Sequence, residues 1–274
     1  MRNTCVALLA LCLASCSRTP TLLSELPPMK TFPPATEGFH FEEIAVYDAG
    51  PGGKRPYAVY VPPGYDPSKP TPTILFLHGS GESGTDGKKQ TQVGLGSAIE
   101  LDRAAWPFIV IFPQKPDHES QWIDHKQMVL DIVAEVESEY NIDADRFYLT
   151  GLSQGGAGTW AFGSLYPEKW AALVPICGYY RNMNGMGGDR FLPQSIAIRV
   201  QDLPIWAFHG LKDDVVPPDQ TTAIVDAVQQ RQIGIENLVP IRITLLPDAD
   251  HNSWDPAYRN YKLGEWFLQY TRGR

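Results

Sequence analysis

The sequence predicts an α/β fold in which a mostly parallel central sheet is covered by helices on both faces, with no large cap domain above it. Three observations carry this expectation. Apolar runs of strand length recur along the chain, helical stretches lie between them, and the pentapeptide Gly151-Leu152-Ser153-Gln154-Gly155 sits where one such strand hands over to one such helix.

Taken in order, the chain begins with an address. Arg2 supplies a short positive start, and residues 5–13 form an apolar core too short to span a bilayer as a helix, the pattern of an export signal. The next residues, Leu13-Ala14-Ser15-Cys16, resemble a bacterial lipobox, in which cleavage before the cysteine follows attachment of a diacylglycerol to its thiol. That resemblance makes residues 1–15 a signal peptide and Cys16 a lipidated mature N-terminus, held at the exported side of a membrane by its acyl chains. Residues 16–37 carry Pro20, Pro27, Pro28, Pro33 and Pro34 without periodicity, which suits an extended tether. The folded domain is expected over residues 38–274.

Of the four cysteines, Cys5 and Cys12 leave with the leader and Cys16 is lipidated. Cys177 then stands alone, an internal disulfide is impossible, and the domain must be stabilised by its core. The 31 acidic side chains outnumber the 23 basic ones, for a formal charge of −8. Such a surface argues against nucleic acid as a partner.

Within the domain, residues 39–47 and 57–61 read as strands joined by a Gly/Pro-rich turn at 48–54. Thr73-Ile74-Leu75-Phe76-Leu77 is a continuous apolar run, as expected of a central strand buried on both faces. Residues 106–112 give another strand. Met128, Val129, Ile132, Val133 and Val136 fall at helical spacing within 126–140. A strand at 146–150 leads into a helix at 155–166; strands at 171–177, 205–209 and 241–246 follow, with helices at 218–232 and 258–270. Residues 179–204, which contain Met183, Gly185, Met186, Gly187 and Gly188, read as a small flap or a surface loop, too short for a large cap.

The chemistry belongs at the carboxyl ends of the strands. Ser153 falls on a strand-to-helix turn that forces it into a strained conformation, with neighbouring chain too close for a Cβ at Gly151 or Gly155. Acyl transfer through a serine needs a base for the hydroxyl proton, a carboxylate to orient that base, and donors for the oxyanion. On a nucleophile elbow of this kind the chain order is serine, acid, histidine, which sets aside His40, His78, His118 and His125. His209 ends a strand just before an acidic loop, a structural place. His251, in the polar loop 248–254 between the last strand and last helix, is the expected base. For the acid, the segment His209-Gly210-Leu211-Lys212-Asp213-Asp214-Val215-Val216-Pro217 resembles the His-Gly-x-x-Asp-x-x-Val-Pro pattern of many hydrolases, which places it at Asp213, with Asp214 as the neighbouring alternative. Asp248 and Asp250 read as solvated loop charges. The oxyanion donors are expected to be the backbone N–H groups of Gln154 and Ser80, the latter in the loop His78-Gly79-Ser80-Gly81-Glu82-Ser83-Gly84. Glu82 reads as an organiser of that loop, since a carboxylate facing the oxyanion would oppose the developing charge.

Taken together, His-Gly-Ser-Gly-Glu at 78–82, Gly-Leu-Ser-Gln-Gly-Gly-Ala-Gly-Thr-Trp at 151–160, the Asp213 pattern and His-Asn-Ser-Trp at 251–254 resemble the α/β-hydrolase superfamily. Within it the chain is similar to feruloyl and acetylxylan esterases and polyhydroxybutyrate-depolymerase-like enzymes, a group that also contains sequences labelled predicted peptidases. The resemblance covers about residues 38–274. It implies the α/β-hydrolase fold and hydrolysis of small-molecule or polysaccharide carboxylic esters by a serine triad, with no metal or organic cofactor.

The remaining residues complete the expectations. Trp122, Tyr179, Tyr180 and Trp254 lie on loops near the triad and are expected to line the substrate pocket, stacking on flat ligands for about 0.5–1.5 kcal/mol per contact. That favours feruloyl-type or short-chain esters over long-chain acylglycerols. Trp160 reads as core packing, Cys177 as an inert thiol within an apolar strand, and residues 117–119 and 124–125 as loop charges rather than metal ligands. Two other functions compete: a peptidase of the same fold, and a binding lipoprotein with a vestigial site. Oligopeptidases of this fold owe selectivity to a large extra domain, for which the chain has little room, and a vestigial site would show a broken triad. Cys16→Ser should remove the thiol that takes the lipid; fractionation of the expressed variant should find it released from membranes or unprocessed, and normal cleavage with full membrane retention would reject the lipobox.

Overall fold

The computed structural model describes residues 30–46, 53–181, 189–236 and 238–273. The expected leader, Cys16, most of the tether and most of the 48–54 turn lie outside the described residues. Among those described, no helix is long and apolar enough to cross a membrane.

Among the described residues, eight strands form one sheet: β1 (Gly38–Ala45), β2 (Lys54–Val61), β3 (Thr71–Leu77), β4 (Ile109–Pro113), β5 (Ile142–Leu152), β6 (Ala172–Ile176), β7 (Ile205–Gly210) and β8 (Ile241–Leu246). Their order across the sheet is β1-β2-β4-β3-β5-β6-β7-β8. β2 is antiparallel to both β1 and β4, and every other pair is parallel. The helices are α1 (Leu95–Leu101), α2 (Lys126–Glu139), α3 (Gln154–Leu165), α4 (Pro193–Val200), α5 (Asp219–Arg231), α6 (Trp254–Asn260) and α7 (Leu263–Phe267).

The period of two along each strand divides the core into two layers. Leu75, Leu77, Ile109, Ile111, Leu149 and Ala207 face one side, where Met128, Ile132 and Val136 of α2, Trp160 of α3, Ile196 of α4 and Ile224 of α5 cover them. Ile74, Phe76, Val110, Phe112, Tyr148 and Phe208 face the other, under Ala98 and Ile99 of α1, Tyr258 of α6 and Trp266 and Phe267 of α7. Continuous apolar strands thus find helices on both faces, because neither face of a parallel sheet can be left to water.

Several boundaries differ from expectation for local reasons. The strand expected at 106–112 begins at Ile109; Trp106 is 2% exposed but packs on Phe108 and Tyr258 before the strand starts. The single helix expected at 258–270 is two helices, broken at Lys262, whose φ is 49°. The break lets Tyr258 pack on Phe76 while Phe267 reaches Phe108 and Tyr148. Two helices escaped the sequence reading, α1 and α4. In α4, Pro193 occupies the first turn and Ile196, Ala197 and Val200 are buried at helical spacing, a signal visible in the sequence but masked by the glycine-rich residues before it. That helix replaces much of the loop or flap expected over 179–204; residues 182–188 of it lie outside the described residues.

Leu75, fully buried on the central strand β3, provides a check on this packing. Leu75→Ala should destabilise the fold by about 2–5 kcal/mol, read as a lower urea midpoint at unchanged slope.

Candidate active site

The strand-to-helix turn is built as the glycines suggest. Ser153 has φ 53° and ψ −116°, and its N–H donates to the carbonyl of Ile176 at 2.9 Å. A Cβ on Gly155 would overlap the carbonyl oxygen of Leu77, and one on Gly151 that of Gly155. The first turn of α3 therefore sits directly on the ends of β3 and β6. Ser153 keeps 9% of its surface exposed, at the rim of an otherwise buried junction.

Three expected side chains meet here. His251 Nε2 lies 2.9 Å from Ser153 Oγ, and His251 Nδ1 lies 2.8 Å from Asp213 Oδ2. The carboxylate side fixes the proton on Nδ1, because an ionised carboxylate can only accept; Nε2 is then free to take the serine proton. Asp213 faces His251 while Asp214 is exposed, so the two alternatives of the sequence separate cleanly. Asp213 Oδ1 accepts the N–H groups of Val215 and Val216 at 3.0 and 2.8 Å. Oδ2 also lies 3.1 Å from His209 Nε2. His209 is wholly buried, and burial lowers its pKa, so it is neutral. Its Nε2 carries the proton, since Val216 O at 2.8 Å and Asp213 can only accept, and Thr221 Oγ1 meets Nδ1 at 2.7 Å. The structural place expected for His209 is thus a direct contact with the acid. Asp248 pairs with Lys212 in solvent and Asp250 caps the N–H of Asn252.

The two residues expected to supply the oxyanion donors lie at the start of α3 and in the loop after β3. Gln154 opens α3, where the helix itself leaves the first N–H groups unpaired. Its side chain is turned away, donating to the carbonyls of His118 and Ser120 at 3.2 and 3.0 Å. After β3, Gly79 lies against Ser153, and Ser80 starts a short 3₁₀ turn, Ser80–Glu82. The Glu82 carboxylate accepts the N–H of Gly79 and its own N–H, while burial raises its pKa. His78 behind the loop is fully buried, with its pKa pushed down to about 3 by desolvation. It is therefore neutral, with Nδ1 against Gly79 O and Nε2 accepting the N–H of Lys115 at 3.2 Å.

The aromatic residues divide. Trp122 is 1% exposed; its indole N–H donates to His78 O at 2.9 Å and its ring stands edge-on to His78 at 4.7 Å. Its polar tip is thus spent on the loop after β3, while its ring remains one of the walls of the cavity beside α3. Tyr179 and Tyr180 are half-buried, with Tyr179 Oη donating to Gln121 Oε1 at 2.9 Å and the Arg181 guanidinium 5.3 Å above the Tyr180 ring. Trp254 is half-buried and perpendicular to the His251 ring at 5.4 Å. Trp160 is buried as expected. Beside α3 lies a cavity of about 60 Å³, walled by Gln121, Ala157, Trp160, Tyr179, Tyr180 and Phe191.

Cys177 is placed differently from expectation. It stands one residue beyond β6 with φ 38°, fully buried, and its Sγ lies within 4.8 Å of ligand atoms of Asp213 and His251. Burial pushes the thiol up to about 12, so it is a neutral wall of the site. His118 pairs with Glu119, Asp124 caps the N–H of Gln121, and His125 Nε2 meets Ser120 Oγ at 2.7 Å, so these groups serve turns. The sequence reading passed over Gln114, Lys115 and Gln121. Gln114 and Lys115 stand just past the carboxyl end of β4, the position in the fold that should have drawn attention to them.

Comparison with known proteins gives the family and the fold. Residues 49–238 match the Esterase family. The chain belongs to that family. It is 29% identical over 232 residues to the bifunctional acetylxylan esterase/xylanase XynS20E of Neocallimastix patriciarum, a match covering 81% of this chain and 31% of that protein. It is 25% identical over 203 residues to acyl-protein thioesterase 1 homolog 2 of Dictyostelium discoideum, covering 67% of this chain and 86% of the relative. A crystal structure of a thermostable esterase superposes with TM-score 0.70 at 30% identity, over 85% of this chain and 63% of that one. A ferulic acid esterase with TM-score 0.66 at 13% identity shares the fold. The chain thus spans about a third of the length of the acetylxylan esterase/xylanase. The fold is that of the α/β-hydrolase esterases, without an additional cap domain among the described residues.

Asp213→Asn puts an amide NH₂ either against His209 and His251, which need an acceptor, or against the N–H groups of Val215 and Val216, which also need one. Turnover of an aryl ester should fall at least about tenfold through lost imidazole orientation, whereas exposed Asp214→Asn should be milder; the reverse ranking in kcat would move the acid by one residue.

Proposed function

We propose that the protein is a serine carboxylesterase that hydrolyses short-chain or aromatic carboxylic esters through an acyl-enzyme. The observation that carries this reading is the chain of contacts from Asp213 through His251 to Ser153, at 2.8 and 2.9 Å. As substrate arrives, His251 Nε2 takes the Ser153 proton while Oγ attacks the carbonyl carbon. The carbonyl oxygen, now anionic, is met by the N–H groups of Gln154 and Ser80. His251 returns its proton to the departing alcohol, leaving Ser153 acylated. Water then enters, loses its proton to the same imidazole, and releases the acid.

The size of the neighbouring cavity bears on the acyl group. A cavity of about 60 Å³ is well below the roughly 150 Å³ that accommodates a benzene ring. Ala157, one helical turn from Ser153, opens onto it, so a short acyl chain such as acetyl fits the walls as they stand. A feruloyl ring needs Tyr180 or Phe191 to swing out. The similarity to an acetylxylan esterase/xylanase supports a short acyl group on a polysaccharide alcohol. On the exported, lipid-anchored reading of Cys16, the enzyme works at a membrane surface on esters outside the cytoplasm.

Ser153→Ala and His251→Ala should each lower kcat about 10³-fold or more, with the double variant little worse than either. For the wild type, kcat/KM is expected to rank short-chain aryl esters and acetylated xylan above methyl ferulate, and all of them above a long-chain triglyceride. An aminoacyl anilide should be left uncut. A preference for the triglyceride or the anilide would reject the substrate assignment, and near-normal turnover in either single variant would reject the mechanism.

A further inference from the structure

Lys115 has no exposed surface, a placement in which the hydration lost by an ammonium must be replaced by hydrogen bonds. Its Nζ donates to Ser83 Oγ at 2.9 Å and to the carbonyl of Asp117. Its main chain makes two more attachments: the N–H donates to His78 Nε2 at 3.2 Å, and the carbonyl accepts the N–H of Gly84 at 2.9 Å. Three of these bonds therefore end on residues 78–84, the loop that carries Ser80. Gln114 continues the clamp, donating to Glu82 O at 2.9 Å and accepting the N–H of Gly87 at 2.7 Å. The 3₁₀ turn hangs from the two consecutive residues that follow the end of β4.

We propose that Lys115 is a positioning residue for the oxyanion loop, its buried charged Nζ holding Ser83 and thereby keeping the Ser80 N–H set against Ser153. The proposal rests on the serine-esterase reading and adds to it a residue outside the triad. A charge-assisted hydrogen bond is roughly twice as strong as a neutral one, so the grip on Ser83 depends on the proton Lys115 carries.

The surroundings make that proton removable in a useful range. Desolvation lowers the Lys115 pKa to about 8, against the opposing pull of Asp117, Glu119 and Asp124. Just after β3 it faces His78, which is neutral, and within the clamped loop lie Glu82, raised by burial, and Asp86, held low chiefly by the N–H of Lys89. The sign of the linkage separates positioning from stability. A lysine depressed in the folded state sheds its proton before the unfolded chain does, so the fold gains stability as pH climbs from about 8 towards the unfolded value near 10.4. Turnover should move the other way.

The test measures kcat, KM and melting temperature from about pH 6 to pH 10 on a short aryl ester. Wild-type kcat should fall above about pH 8 while KM stays level and the melting temperature does not drop with it. Lys115→Met should lower kcat at pH 7 by about tenfold or more, as expected for a small misplacement of a donor, and should show no further fall near pH 8. Lys115→Arg, which keeps its charge, should likewise lose the fall near pH 8. Ser83→Ala, at a half-exposed position that the fold tolerates, removes one partner of the charged form and should move the fall to lower pH. A wild-type kcat that stays level to pH 10, a Lys115→Met enzyme with full kcat, or a Ser83→Ala profile that does not move would each overturn the assignment; the last decides alone if Lys115→Met does not fold. Ser153→Ala beside them reports on the esterase reading: wild-type turnover in that variant fails the reading itself, whereas an unmoved alkaline limb in a Ser153-dependent enzyme fails only Lys115.

Discussion

The absence of clearance between the start of α3 and the ends of β3 and β6 is the constraint on which the site depends. The backbone of Gly155 presses on the carbonyl of Leu77, and Ser153 is drawn to Ile176 O by its own N–H. With the helix held that close, the serine has no room for ordinary helical or extended backbone and takes φ 53°. Such a conformation costs on the order of 1–3 kcal/mol and persists only where the surroundings over-determine it. Here they do. The gain is geometric: Oγ meets His251 Nε2 at 2.9 Å, and Gly79 of the loop after β3 lies against the same serine.

The acid half is held by polar satisfaction rather than by close packing. Asp213 is buried, and a buried carboxylate is costly unless its lone pairs are used. Four donors use them: two backbone N–H groups on Oδ1 and two imidazoles on Oδ2. His209 serves as a fixed wall of that arrangement and His251 as its working member. The difference lies in surroundings: His209 is wholly enclosed and tied to Val216 and Thr221, whereas His251 retains part of its surface and faces Ser153. One carboxylate thus holds His251 towards Ser153 while being held itself by His209.

Around this centre the aromatic residues take unequal parts. Trp122 and His78 brace the loop after β3 from beneath, with the indole N–H on His78 O. Trp254 stands beside the base, and Tyr179, Tyr180 and Phe191 close the small cavity along α3. Residue type alone does not separate these roles, because each aromatic ring is as well suited to a core edge as to a ligand face. What separates them is where the polar tip finds its partner.

How much of this was legible follows from range. The fold class, the elbow serine and the order serine, acid, histidine are local patterns, so Gly151–Gly155, the 209–217 segment and His251 could be read from the chain. So could the parity of Ile74, Leu75, Phe76 and Leu77, since a strand period of two is written residue by residue. The break at Lys262, the burial of Trp122, the position of Cys177 at the site and the clamp of Gln114 and Lys115 on the 78–87 loop were decided only by the tertiary structure. Each depends on what stands opposite in space, across separations such as the 37 residues between His78 and Lys115. Hydrogen-bond partners and burial are set by that juxtaposition, and no periodicity in the sequence encodes it.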